Sequence, residues 1–227
     1  MKRAFVVGAT GLTGRFVVAE LCARGMAVTA HVRPDSSRLE EWRTHFEGLG
    51  ATVDTTPWEK GAMMQRFENE VPDLVFLLLG TTKKRARRGG GDYEEVDYGM
   101  TVMAIDALCQ RGETGVVYLS SLGVKDGVRS AYMLARWRVE EHLRASGLAY
   151  LIARPSFIVG DRDEPRMMEH VGSAVADGVF WSVGLFGAKK SRNRLSSIRG
   201  EDLANGLVRE AIDAELTGRI VYSDDLR

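Results

Sequence analysis

Cysteine is scarce: Cys22 and Cys109 are the only two in 227 residues. Both fall among apolar neighbours in stretches that read as helices, so they are expected as reduced core thiols rather than a bridge. Cys and His nowhere share metal-ligand spacing, so no metal site is expected. An excess of one charge is missing too, since 31 Lys and Arg face 31 Asp and Glu. No global field then draws the chain to nucleic acid or to a membrane. No apolar run approaches the roughly 18 residues of a membrane span, and Ala4–Val7 is too short for the apolar region of a secretory signal. A soluble, cytoplasmic protein is the resulting expectation. The four histidines are dispersed, with no Ser or Cys nucleophile pattern beside them, which leaves a hydrolase triad unsupported. Internal repeats and low-complexity linkers are also absent.

What is present is an ordinary globular composition, 44% hydrophobic and 27% charged. A chain this long buries about 70% or more of its unfolded surface, so its core needs no staples. Short apolar runs recur at Ala4–Val7, Val28–Val32, Ala51–Asp54, Leu74–Leu79, Val116–Leu119, Ala149–Ala153 and Arg219–Tyr222. Several are continuously apolar, as in strands buried on both faces of a parallel sheet. Between them lie amphipathic stretches that predict helices: Thr13–Arg24, Ser37–Phe46, Lys60–Asn69, Tyr98–Gln110, Ala131–Ala145 and Glu201–Ile212. Gly25, Gly112 and Gly147 follow three of these, where a left-handed cap is useful. The alternation implies an α/β fold with a doubly wound, mostly parallel sheet flanked by helices. One domain over 1–227 is expected, with a small substrate-side insertion at 160–198 where Gly172, Gly178, Gly184 and Gly187 interrupt Phe180, Trp181, Leu185 and Phe186.

Residues 8–14 read Gly-Ala-Thr-Gly-Leu-Thr-Gly. They follow an apolar strand directly and open a helix, the context in which a glycine pattern carries meaning. Gly8 permits the tight turn, Gly11 lets backbone approach a pyrophosphate, and Gly14 lets helix and strand pack closely. The loop residues Thr10, Leu12 and Thr13 complete the cradle, and the amides and dipole of the helix N-terminus face the phosphates. A nicotinamide dinucleotide is the expected ligand. An acidic residue at the end of the second strand would select NAD. Arg33 stands there instead, with Ser36, Ser37 and Arg38 close behind, and a guanidinium can fork onto a 2′-phosphate. Asp35 follows Pro34 and is less well placed. NADP(H) is therefore favoured over NAD(H).

The glycine loop, the Gly80-Thr81-Thr82 and Ser120-Ser121 strand ends, Tyr132 with a base four residues on, and Arg154-Pro155 occur in one order. That order resembles the short-chain dehydrogenase/reductases, with the glycine spacing of their extended and atypical groups. The stretch from Arg154 to Glu164 and the run Ile198 to Ala204 are similar to the atypical branch that includes Tat-interacting-protein-like NAD(P)-binding oxidoreductases. The resemblance implies a Rossmann fold. It implies that Leu79, Gly80 and Thr81 pass the nicotinamide ribose, that Pro155 to Ile158 contact the nicotinamide, and that Arg166 reaches cofactor phosphate.

The resemblance also implies a catalytic set. Tyr132 and Arg136 are four apart on a predicted helix and share a face. In the family's Tyr-x-x-x-Lys pattern the tyrosine gives its proton to a carbonyl oxygen, which a strand-end serine holds; Ser121 or Ser120 fills that place. Arg136 replaces the lysine. A cation about 4 Å away supplies roughly 4 kcal/mol at an effective dielectric near 20, about what moving a tyrosine from ~10 to ~7 requires. Yet arginine is not deprotonated and its planar fork is no isostere of an ammonium. The expected function is an NADP-dependent oxidoreductase acting on a small carbonyl or alcohol substrate, with neither nucleic acid nor membrane as partner and with a homodimer left open. A non-catalytic NAD(P)H-binding redox sensor is the alternative that Arg136 motivates. A sugar-nucleotide epimerase is a third, against which the short C-terminal region counts. The basic run Lys83-Lys84-Arg85-Ala86-Arg87-Arg88 is expected as a solvated active-site loop, and Asp97 as a helix-start charge.

Overall fold

The computed structural model describes residues 1–81, 92–109, 114–160, 196–214 and 216–227. Thr82, the basic run, Gly112, Arg166 and nearly all of the expected insertion lie outside the described residues.

Seven strands form one sheet in the order β3-β2-β1-β4-β5-β6-β9, and every pairing in it is parallel. They are β1 (Arg3–Val7), β2 (Ala27–His31), β3 (Thr52–Asp54), β4 (Leu74–Leu77), β5 (Gly115–Leu119), β6 (Ala149–Arg154) and β9 (Arg219–Tyr222). Alternate side chains of β1 serve opposite cores, because successive Cβ atoms point to opposite faces. Ala4 and Val6 meet Val17, Val18 and Leu21 of α1 (Gly14–Ala23), Phe46 of α2 (Leu39–Gly48) and Leu203 and Leu207 of α6 (Gly200–Ile212). Phe5 and Val7 meet Met63 and Phe67 of α3 (Lys60–Asn69), Ile105 and Leu108 of α4 (Thr101–Cys109) and Val139 and Leu143 of α5 (Ala131–Ala145). The continuous apolar runs are thus strands with helices on both faces. A separate short pair, β7 (Ile158–Val159) with β8 (Ile198–Arg199), is also parallel. Both cysteines are free and partly buried.

One local feature differs from the sequence pattern. The helix expected from Tyr98 starts earlier, with a π-helical segment Tyr93–Met100 that runs into α4. Asp92 caps it by accepting the Glu95 amide at 2.9 Å. A wide π-turn breaks the 3.6-residue periodicity on which the expectation rested. Gly25 behaves as expected: at φ +74° it ends α1, donating its amide to Cys22 O at 2.9 Å.

His31, at the end of β2, is buried against Trp58 with ring centroids 4.8 Å apart, and its Nε2 donates to Thr56 O at 2.9 Å. Burial pushes its pKa below the ordinary value, outweighing the Thr56 bond. A depressed histidine leaves the unfolded chain binding more protons, so its contribution is present above about pH 6.5 and is lost as pH falls through the window below. Urea midpoints are expected to drop from pH 7 to pH 5 in the parent, with a shallower drop in His31→Gln.

Candidate cofactor and active site

Strand order reverses beside β1, with β2 on one side and β4 on the other. In doubly wound sheets the crevice at the carboxyl end of this switch point binds ligands. The glycine loop leaves β1 there. Gly8 sits at φ +80°, and a Cβ on it would lie 2.8 Å from Leu78 O. A Cβ on Gly14 would run into Gly8 O and stand 2.9 Å from Ala9 Cα. Gly11 donates its amide to Gly8 O at 3.0 Å, and its own Cβ would be 3.1 Å from that oxygen. No side chain caps α1 and no acidic residue occupies its first turn. Its first backward bond is Arg15 N to Gly11 O, so the Leu12, Thr13 and Gly14 amides precede the intrahelical ladder. A loop with glycine at Gly8, Gly11 and Gly14, in front of a helix N-terminus, fits a pyrophosphate. Thr13 is buried and Thr10 is exposed.

Leu12 has a second job. Its Cδ1 would lie 2.6 Å from a Cβ on Gly160, and its Cγ 3.4 Å from one on Gly200. The side chain is therefore clamped between the end of β7 and the start of α6. Gly160 and Gly200 escaped the sequence reading because neither belongs to a glycine cluster; their partner is 148 and 188 positions away by residue number.

The expected adenosine-side residues divide. Arg33 is exposed two residues beyond β2, at the same sheet edge as the glycine loop, and its Nη1 donates to Asp35 at 3.1 Å. Ser36 returns its amide to Arg33 O at 3.1 Å. Arg38 is engaged on α2: its Nε donates to Glu41 at 2.6 Å, and its guanidinium stacks 5.0 Å from the Trp42 ring.

Arg136 holds the centre of the opposite side. It is buried on α5, and its Nη2 donates to Leu79 O at 3.2 Å and to Asp97 Oδ1 at 3.0 Å. Its Nη1 donates to Leu119 O and to the Tyr118 hydroxyl. The ends of β4 and β5 are thus tied to one guanidinium. A Cβ on Gly80 would approach Arg136 Nη2 to 3.1 Å, so Gly80 is the passage that lets this happen. Tyr132, one turn earlier and partly buried, carries the guanidinium carbon over its ring at 4.9 Å from the centroid. Burial works against the charge on Arg136. Tyr132, Tyr118 and Asp97 outweigh it and hold the guanidinium above its ordinary range.

Asp97 corrects the expectation of a helix-start charge. Its side chain is wholly buried within the π-helical segment, where it also accepts the Thr81 amide at 2.9 Å. Burial pushes its pKa up, against the pull of Arg136 and Thr81. Only the Asp92-to-Glu95 capping pattern hinted that this segment starts early enough to bury it.

Ser120 and Ser121 also separate. Ser120 is buried and donates its hydroxyl to Glu140 Oε1 at 2.6 Å. Glu140 lies one turn beyond Arg136 and further accepts Arg154 Nε at 2.9 Å and Arg144 Nη2 at 2.7 Å. Ser121 is partly exposed at the strand end. Pro155 is buried and accepts the Leu122 amide at 2.9 Å, while Ile158 pairs with Ile198 and packs on the core beneath the loop. Among the described residues no group of His, Cys, Asp and Glu could hold a metal ion, and no helix is long and apolar enough to cross a membrane.

Comparison with known proteins agrees with this geometry. A family model described as NAD(P)H-binding matches residues 8–212. The mitochondrial protein FMP52 of Candida albicans is 26% identical over 234 residues, covering 98% of this chain and 95% of that one. The chloroplastic protein TIC 62 of Arabidopsis thaliana is 27% identical over 78% of this chain, which spans only 30% of that protein. The UDP-glucose 4-epimerase of Bifidobacterium longum, solved with NAD+ and UDP, superposes with a TM-score of 0.69 at 17% identity, covering 96% of this chain and 76% of that one. At that identity the likeness is one of fold. The cytoplasmic expectation is corrected by these relatives, whose names are mitochondrial in several fungi and chloroplastic in Arabidopsis. The chain belongs to the NAD(P)H-binding family, Rossmann-fold proteins whose motif order here is that of the atypical short-chain dehydrogenase/reductases.

Proposed function

We propose that the protein is an NADP(H)-dependent oxidoreductase for a small carbonyl or alcohol substrate. The observation that carries this reading is the Tyr132 ring held against the buried Arg136 guanidinium, at the ends of β4 and β5 to one side of the glycine loop. The amides of Leu12 to Gly14 hold the pyrophosphate, and Arg33 with Ser36 takes the 2′-phosphate. Leu79, Gly80 and Thr81, with Pro155 and Ile158, would hold the nicotinamide and its ribose. Bound NADPH supplies hydride. Ser121 holds the substrate oxygen and Tyr132 gives it a proton; in the reverse direction the tyrosinate accepts one. Ser120 takes no part, because its hydroxyl is given to Glu140.

Arg136 departs from the family lysine in a specific way. Its terminal nitrogens are engaged by Leu79, Asp97, Leu119 and Tyr118. It therefore acts on Tyr132 by its charge and by direct side-chain contact, and not by reaching toward a ribose. The same engagement supports a second reading, an NAD(P)H-binding module without turnover.

Parallel fluorescence titrations with NADPH and NADH test the cofactor. NADPH is expected to bind more tightly, and Arg33→Ala to weaken NADPH by about tenfold (~1.4 kcal/mol) while leaving NADH nearly unchanged. Preference for NADH would overturn the role of Arg33. On a panel of small aldehydes and diketones, Tyr132→Phe is expected to lower kcat by about 100-fold or more with an unaltered NADPH Kd. Tight NADPH binding with no turnover of any panel member would select the second reading.

A further inference from the structure

We propose that Asp97 is a positioning residue for Tyr132: by pairing with Arg136 it sets how much positive charge the phenol experiences. Asp97 Oδ1 meets Arg136 Nη2 at 3.0 Å, and Oδ2 accepts the Thr81 amide at 2.9 Å. One carboxylate thus ties the π-helical segment, the end of β4 and α5 together. The charged and titratable groups around this pair come from each neighbouring element. Tyr93 lies in the π-helical segment, its ring edge-on to Tyr132 with centroids 5.4 Å apart. Tyr118 comes from β5, and Tyr132 and Glu140 come from α5. Arg136 is the cation these groups share. Among the described residues Asp97 is the carboxylate paired with it, so the balance at Tyr132 rests on this pair.

Removing the carboxylate charge leaves Arg136 with its bonds to Leu79 O and Leu119 O but without its counter-ion. The guanidinium then stays in place and its full charge favours the tyrosinate. Removing the guanidinium does the reverse. This separates charge tuning from mere support of the fold, since a purely structural role predicts the same loss for either change.

Tyrosinate absorbance at 295 nm, followed against pH in the full chain, tests the proposal without cofactor or turnover. Each variant is measured with and without Tyr132→Phe, so the difference isolates Tyr132. Circular dichroism defines the pH range in which the chain is folded. In Asp97→Asn the Tyr132 step is expected to move down by about one pH unit; in Arg136→Gln it moves up. Asp97→Glu keeps the charge and brings the step back toward the parent. With 2,3-butanedione and NADPH, the alkaline limb of kcat moves down in Asp97→Asn, because reduction needs the protonated phenol.

A step unmoved in folded Asp97→Asn overturns the proposal. If that variant does not fold, an unmoved or lowered step in Arg136→Gln overturns it instead. The proposal rests on the reading of Tyr132 as proton donor only for the kcat limb. A moved absorbance step with no turnover of any member of the aldehyde and diketone panel would sink the enzyme reading and leave the pairing intact. Turnover with an unmoved step would do the opposite.

Discussion

Gly14→Ala is expected to abolish measurable NADPH binding while the chain still folds with reduced stability. The added methyl would overlap Gly8 O and crowd Ala9 Cα and O. These are backbone atoms of the turn that leaves β1, so no side-chain rotation relieves the contact. Overpacking against yielding neighbours costs about 1–3 kcal/mol. Here the turn itself must open, and the amides of Leu12, Thr13 and Gly14 move off their common target. A loss of ~3 kcal/mol in binding corresponds to roughly 100-fold in Kd. Gly25→Ala is the control. Gly25 also has a positive φ, +74°, but a Cβ there meets nothing within 4 Å. Backbone strain of about 1 kcal/mol should lower Tm by a few degrees without changing NADPH affinity. Paired fluorescence titrations and thermal melts distinguish the two. Equal NADPH affinity in Gly14→Ala and the parent would contradict the assignment of the loop.

The largest stability effect is expected at Glu140. Its side chain has no solvent exposure, and Ser120, Arg154 and Arg144 all converge on it. Arg154, at the end of β6, is only 12% exposed. Its guanidinium is held above its ordinary range by Glu140 despite the cost of burial. Glu140→Ala would strand this charge, and removing one member of a buried pair costs about 3–5 kcal/mol. For a chain of this size that is a Tm loss on the order of 10 °C. Urea unfolding gives the same quantity directly. Glu140→Gln keeps an acceptor for Ser120 and should recover part of the loss. A change below about 1 kcal/mol in the alanine variant would show that water, not Glu140, balances Arg154.

Much of the frame was legible beforehand. The strand runs at Ala4–Val7 and Arg219–Tyr222 follow from short apolar runs, and the helices Lys60–Asn69 and Ala131–Ala145 from amphipathic stretches, which are local properties of the chain. The face shared by Tyr132 and Arg136 was legible for the same reason. Glu140 continues that face by another turn, and its sequence neighbours did not reveal what it meets. The π-turn at Tyr93–Met100 was not legible, because a widened turn shifts the apolar pattern that betrays a helix. The burial of Asp97 went with it.

The sequence by itself determined the alternation of strand and helix, the glycine turn at Gly8 to Gly14 and the spacing of Tyr132 from Arg136. Each depends on backbone conformation or on residues within a turn or two. The tertiary structure decided which groups these residues face. Arg136 meets Leu119 O, Asp97 and Leu79 O across separations of 17, 39 and 57 residues. Ser120 gives its hydroxyl to Glu140, which leaves Ser121 at the strand end. Leu12 is gripped by Gly160 and Gly200 from the far half of the chain. Hydrogen bonds and ion pairs act over a few ångströms, and only the packing of strand ends against α5 and α6 brings such distant positions within that range.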